Sequence, residues 1–279
     1  MRRTTDKTRL WQLAAKVAFG TAYLIVGSEI FLRIFAPEPM LPRYVCATEY
    51  GIRGNEPNRE YRHTTPEYQI SIRTNSKGIR ADEEIPYEKP DGVKRIVLLG
   101  DSFGMGYGVD LEDTFSSQMK KALEKAGVRC EIVNLSVSGH GTAEQLITLR
   151  QEGLRYKPDV VLLAWHASDR ADNVRANLYG LEEGRLVRRS ETYLPGVETR
   201  EFLFQFAVYR LLAEHSHLYN FARERTAHLV KYKVLPAIRG LSSPAKAAEG
   251  ASEQPGTRPV SYRSELAVAL LRQIQQECS

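Results

Sequence analysis

With 279 residues and 42% hydrophobic content, the chain has material for one medium α/β domain with a real core, plus appendages. The formal charge is +5, but Arg2, Arg3, Lys7 and Arg9 oppose only Asp6 in the opening segment; the remainder is close to balanced, and no nucleic-acid partner is expected. Cys46, Cys130 and Cys278 cannot all pair and lack metal-ligand spacing, so no disulfide framework, metal site or cofactor is expected.

Residues 1–9 form a basic tail and residues 10–36 a transmembrane anchor around the charge-free run Val17–Ser28. Trp11 to Phe35 supplies the about 20 mostly apolar residues that a spanning helix needs, with Lys16 and Arg33 snorkelling. Glu29 fits worst, because a carboxylate deep in hydrocarbon costs about 3 kcal/mol, although it lies near the outer end. A cleaved signal peptide is the alternative; Pro37 directly after Ala36, and bulky Ile34, argue against cleavage. The positive-inside rule leaves the tail in the cytoplasm and exports the chain beyond Pro37. The expected location is the inner (cytoplasmic) membrane, single-pass, with the working domain on the periplasmic side.

Residues 37–90 read as a stalk and lead-in strand, with alternation at Tyr68–Ile72 and a turn at Asn75–Arg80. Arg95–Gly100 is a short apolar run bounded by glycine, which predicts a buried parallel strand. A helix is predicted over Asp113–Ala126 with Phe115, Met119, Leu123 and Ala126 on one face, and a second strand over Cys130–Val137. Thr142-Ala-Glu-Gln145 reads as a capping box opening a helix to about Tyr156, followed by a third strand, Asp159–Trp165. This alternation predicts right-handed βαβ units in a flavodoxin-like three-layer α/β/α sandwich with a parallel sheet, preceded by the N-terminal transmembrane helix. Gly180–Val187 reads as a hairpin turning at Glu183-Gly184, residues 201–235 as helical, 241–259 as a flexible linker, and Ser261–Cys278 as a last helix with Leu266, Leu270 and Ile274 in register. In a doubly wound sheet that helix is expected to lead to a further strand, so the 91–279 domain reads as incomplete.

In open parallel sheets, ligands bind beyond the carboxyl ends of the strands. Three polar clusters fall there: Gly100–Gly108, Ser136–Gly141 and His166–Asn173. A serine directly after a strand, set among glycines, presents a hydroxyl nucleophile to a cleft, and backbone N–H groups at such turns can stabilise an oxyanion. Leu99-Gly-Asp-Ser-Phe103 resembles the first block of SGNH/GDSL hydrolases, Asn134-Leu-Ser-Val-Ser-Gly139 the second, and Ala167-Ser-Asp169, after Pro158–Leu163, the third. The lead-in at Asn75–Arg80 and the glycines up to Val109 resemble bacterial membrane-anchored members.

The resemblance implies Ser102 as nucleophile and the Gly139 N–H as an oxyanion donor. It puts Ser168 where the family has an oxyanion asparagine, and the shorter hydroxyl is a weak substitute. The family's Asp-x-x-His base motif has no counterpart after residue 175; Glu214-His-Ser-His217 reads as a helix coincidence, and His140 and His166 as local hydrogen-bonding histidines at strand ends, with a substitute base facing the cleft as the alternative. The implied activity is hydrolysis or transfer of ester-linked acyl or acetyl groups, with an acylated small molecule or a cell-envelope polysaccharide as substrate. The alternatives are a catalytically inactive carbohydrate-binding or assembly protein, or a truncated fragment. The Gly-x-Ser-x-Gly match at Gly100–Gly104 also fits an α/β-hydrolase elbow, which normally follows several βα units.

Overall fold

The computed structural model describes residues 2–39, 44–65, 67–230 and 259–279. The chain divides into two compact units: Met1–Leu41, His63–Gln69 and Phe204–Ala248 form the first, and Pro42–Arg62, Ile70–Leu203 and Glu249–Ser279 the second. Apart from Pro259, the expected 241–259 linker lies outside the described residues.

In the first unit, α1 (Arg2–Phe35) is one continuous helix, extending back through the basic tail. Its Trp11–Phe35 stretch is 25 residues long, apolar enough to cross a membrane, and almost wholly unburied. Glu29, the residue that fits a span worst, has a specific task. Its carboxylate accepts from Ser216 Oγ (2.8 Å) and from the His217 and Leu218 N–H groups (3.0 and 2.9 Å). It thereby caps the N-terminus of α8 (His217–Leu229), where the helix dipole favours negative charge. Arg33, one turn on, donates to Glu29 (2.8 Å) and to the His215 carbonyl (2.5 Å) that ends α7 (Ala207–His215). The region expected to be helical over 201–235 is helical in three pieces as far as it is described, α6 (Val197–Phe204), most of which belongs to the second unit, α7 and α8; residues 231–235 lie outside the described residues. The breaks fall where Phe206 and Ser216 take extended backbone and Ser216 Oγ caps the Tyr219 N–H.

The second unit opens with an antiparallel ribbon of β1 (Val45–Ala47) and β2 (Arg53–Asn55); a second two-stranded ribbon pairs β3 (Glu60–Thr64) with β4 (Gln69–Arg73), its His63–Gln69 tip belonging to the first unit. The region read as stalk and lead-in thus contributes Ile52, Ile72 and Ile79 as fully or almost fully buried side chains. Its frame is a parallel sheet of β5 (Lys94–Gly100), β6 (Cys130–Asn134) and β7 (Val160–Ala164) in the order β6-β5-β7, with Leu98 opposite both Asn134 and Leu162, and Gly100 opposite Ala164. Val97, Leu99 and Val133 point into one core with Leu146 and Leu149 of α4 (Thr142–Gln151) and Leu266, Leu270 and Ile274 of α9 (Val260–Glu277). Asn134 lies on the opposite face, where its amide donates to Ser116 Oγ of α3 (Phe115–Lys125). Helices thus cover both faces, as continuous apolar strands require. The fold is mixed α/β with a parallel sheet.

Two local expectations are corrected. Helix α3 packs through Ser116, Met119 and Leu123, while Phe115, its first residue after the Thr114 cap, and Ala126, just past its end, are exposed. The cap of α4 is Gly141, whose N–H is accepted by Glu144 (3.0 Å); Thr142 is inside the helix and donates its hydroxyl to Asp169 instead. The hairpin β8 (Tyr179–Glu182) and β9 (Arg185–Arg188) turns at Glu183-Gly184, where both residues have positive φ (50° and 77°), the signature of a type I′ turn.

Candidate active site

Every polar cluster singled out in the sequence follows a strand of the parallel sheet at its carboxyl edge. Ser102 is the first residue of α2 (Ser102–Met105), two positions beyond the end of β5. Asp101 accepts from the Phe103 N–H (2.8 Å) through its side chain and caps this one-turn helix. The chain leaves α2 through Gly106, whose φ of 81° a residue with a Cβ rarely adopts. Arg80 fixes the exit: its guanidinium donates to the carbonyls of Gly106 (2.6 Å), Met105 (3.3 Å) and Val109 (2.7 Å). The serine is thus held from its own strand on one side and from a buried arginine on the other.

The second cluster runs beside the first, since the Val137 N–H continues the sheet by donating to the Gly100 carbonyl (3.2 Å). Asn134 braces both, donating to the Gly104 carbonyl (2.8 Å) and accepting from the Ser136 N–H (3.1 Å). Gly139 has a φ of 79°, and its carbonyl accepts from Arg53, whose guanidinium would lie 2.9 Å from any Cβ placed there. His140 is buried and donates from Nε2 to the Arg53 carbonyl (2.8 Å). Burial pushes its pKa down to about 3, so it is a neutral strut between this loop and β2.

The third cluster follows β7. Asp169, at the start of α5 (Asp169–Ala176), is fully buried and accepts from Thr142 Oγ1 (3.2 Å) and Gln145 Nε2 (3.3 Å) on one oxygen. Burial, then the nearby Asp101 carboxylate, push its pKa up to about 6. Asn173 Oδ1 accepts from the Ala143 N–H (2.9 Å), tying α5 to the start of α4.

Ser168 is exposed and turned toward His166. Its hydroxyl lies 2.9 Å from His166 Nδ1, and its backbone N–H donates to the same nitrogen (3.3 Å). A backbone amide can only donate, so Nδ1 is the acceptor and the neutral ring carries its proton on Nε2. The ring also stacks at 5.1 Å on Phe103, the neighbour of Ser102. His166 and Ser102 each lie two positions past the Gly100–Ala164 register pair, so the histidine stands next to the loop that carries Ser102. The Glu214–His217 stretch forms no catalytic pair: it straddles the α7–α8 break, and His217 Nδ1 accepts from the Glu38 N–H (2.9 Å).

The structure therefore brings Ser102, the loop of Gly139 and the Ser168–His166 pair to one edge. Among the described residues no side chain hydrogen-bonds the Ser102 hydroxyl, and no group of His, Cys, Asp and Glu is arranged to hold a metal. Sequence reasoning gave no role to the side chains of Arg53, Arg80 and Asp169, although Arg80 closes the lead-in turn and Asp169 the third block; Arg53 had no local signal.

No family model matches the chain. An arylesterase from Vibrio mimicus is 33% identical over 76 residues, which is 27% of this chain; the chain spans 38% of the length of that curated relative. Among solved structures, AlinE4, described as an SGNH-hydrolase family esterase, is 26% identical over 31% of this chain and 52% of its own, with a TM-score of 0.24. TesA is 17% identical over 66% of this chain and 99% of its own, with a TM-score of 0.27. Scores this low carry no weight of their own. The arylesterase match, with the ordered blocks at the carboxyl edge of a parallel sheet, makes the fold SGNH/GDSL hydrolase-like.

Proposed function

We propose that the chain is a membrane-anchored, extracytoplasmic serine esterase or acyltransferase, acting on acyl or acetyl esters of a small molecule or a cell-envelope polysaccharide. The observation that carries this reading is the placement of Ser102 directly after β5, on a capped one-turn helix clamped by Arg80, with the Gly139 loop alongside. Ser102 Oγ attacks the acyl carbonyl carbon, and the carbonyl oxygen gains the negative charge. The Ser102 and Gly139 N–H groups are the assigned donors for that oxygen. Collapse of the tetrahedral adduct expels the alcohol and leaves the acyl group on Ser102, for transfer to water or to a sugar hydroxyl. Helix α1, through Trp11–Phe35, holds the domain at the outer face of the inner membrane, with residues 1–9 inside.

A second reading, a binding or assembly protein that holds glycan at the same edge without turnover, is favoured by one observation. Ser102 has no base bonded to it among the described residues, and the His166 Nδ1 is taken by the Ser168 N–H. A serine without its base loses several orders of magnitude in rate. The two separate on a fluorophosphonate probe followed by mass spectrometry. The enzyme reading expects a phosphonyl adduct on Ser102 and p-nitrophenyl acetate hydrolysis that Ser102→Ala abolishes. Folded protein that takes no adduct, yet binds polysaccharide equally with Ser102→Ala, establishes the binding reading.

A further inference from the structure

Helix α7 belongs to the first unit and presents three different faces. Ala213 is buried and Tyr209 packs edge-on against Phe204 and Tyr219, which makes one face internal. Arg210 and Glu214 form a polar face open to solvent. Val208, Leu211 and Leu212, at helical spacing, form the third and are 70%, 62% and 39% exposed, with Phe206 just before them at 53%. Such a stripe, rimmed by charge on a short helix, is an unfavourable surface to leave in water.

The attachment of α7 to α1 indicates which surface lies against the stripe. Its last carbonyl, on His215, accepts from Arg33, and the adjoining start of α8 is capped by Glu29. Glu29 directly follows the charge-free run Val17–Ser28 and Arg33 comes one turn later, both in the outer end of the Trp11–Phe35 stretch. Counting back from Glu29, about 20 residues at about 1.5 Å each cross a hydrocarbon layer of about 30 Å and end near Leu10, beside the basic tail. Glu29 and Arg33 then stand at the outer boundary, and the C-terminus of α7 stands with them. An amphipathic helix fixed at that level has one surface suited to its apolar stripe, the junction of headgroups and acyl chains.

We propose that α7 is a second membrane contact: it lies in the outer surface of the bilayer that α1 crosses, with Phe206, Val208, Leu211 and Leu212 inserted at the headgroup boundary. The proposal rests on reading α1 as an anchor. It gives Glu29 and Arg33 a further role, setting the depth of α7 relative to the span. The first unit is then attached to the membrane at two places.

The test is tryptophan quenching in phosphatidylcholine vesicles whose acyl chains carry bromine at a shallow or a deep carbon. The full chain is used in a Trp11→Phe, Trp165→Phe background with one reporter at a time: Phe19→Trp in the span, Leu211→Trp on the stripe and Glu214→Trp on the polar face. All three positions are solvent-facing or unburied, so folding is expected to survive. The expected result is quenching of Phe19→Trp mainly by deep bromine, and of Leu211→Trp by shallow bromine roughly twofold or more above Glu214→Trp. Quenching of Phe19→Trp with Leu211→Trp no different from Glu214→Trp overturns the proposal and leaves the anchor intact; if cross-linking then traps dimers through position 211, the stripe belongs to a second copy. No quenching of Phe19→Trp overturns the anchor, and the proposal with it.

Discussion

At the amino end of β5 the Arg95 guanidinium is fully buried, and all five of its N–H groups are taken. Nε and Nη2 donate to Glu131 (3.1 and 2.6 Å), Nη1 to the carbonyls of Tyr87 and Tyr156 (2.8 and 3.0 Å), and Nη2 to that of Glu88 (3.1 Å). At the carboxyl end of the same sheet, the buried Ser136 Oγ, His140 Nδ1 and Asp169 Oδ1 have no hydrogen-bond partner among the described residues. The Arg95 end is not free of exceptions, since the buried Tyr156 hydroxyl has no partner among the described residues, but the other end gathers three around a candidate nucleophile. Buried polar atoms are normally paired, so three exceptions at one candidate site set that end of the sheet apart.

The strongest way to break this contrast is at Arg95. Arg95→Met removes the cation and orphans three carbonyls and the Glu131 carboxylate, and is expected to cost on the order of 3 to 5 kcal/mol in urea unfolding. A loss under about 1 kcal/mol would mean that the amino end is not the stabilising end.

Asp169 sharpens the other side. Its folded pKa is raised to about 6, so between its unfolded value and pH 6 the native state holds the extra proton. Stability from this group is therefore greatest in acid and declines as pH rises toward 6, by roughly 2 to 3 kcal/mol at about 1.4 kcal/mol per unit. Asp169→Asn should flatten that part of the pH–stability curve, leaving the segment due to Glu144, whose burial raises it to about 7. An unchanged curve would show that Asp169 is not desolvated in solution.

Two further substitutions have smaller effects. Tyr87→Phe, at the Arg95 end, removes the hydroxyl that donates to Glu152 (2.7 Å) and should cost about 1 kcal/mol by thermal unfolding. Ser168→Ala, at the exposed rim of the other end, should shift stability by less than about 0.5 kcal/mol. Nitrogen NMR on this variant should still show His166 protonated on Nε2, because the backbone N–H of residue 168 remains its Nδ1 donor. A switch to the Nδ1–H form would show that the hydroxyl alone sets the tautomer.

The range of each interaction decides how far the sequence discloses it. The three parallel strands, the Glu183-Gly184 hairpin and the Leu266–Ile274 stripe rest on neighbours in the chain, and the structure has them where the residue pattern put them. The blocks around Ser102, Gly139 and Asp169 were legible because topology alone sends strand ends to one edge. Arg53, Arg80 and Arg95 were not legible, because they act on backbone carbonyls up to 86 residues away, and a carbonyl leaves no mark in the sequence. The helix breaks at Phe206 and Ser216 were hidden by an apolar stripe that runs on through them. Ser216 did carry a local signal, being a preferred N-cap residue, but its partner Glu29 lies 187 residues away.

Gly104 sits on the turn that follows Ser102, and a methyl group there would lie 2.5 Å from Ser136 Oγ and 3.1 Å from Ser136 Cβ, but 3.6 Å from Ala164 Cβ. Only the first two are too close, and both belong to one side chain. The Ser136 hydroxyl has no hydrogen-bond partner among the described residues, so turning it away or changing Ser136→Ala relieves the shorter contact, and the longer one asks for a shift of a few tenths of an ångström. Whether position 104 can gain a side chain is therefore decided by what stands at position 136.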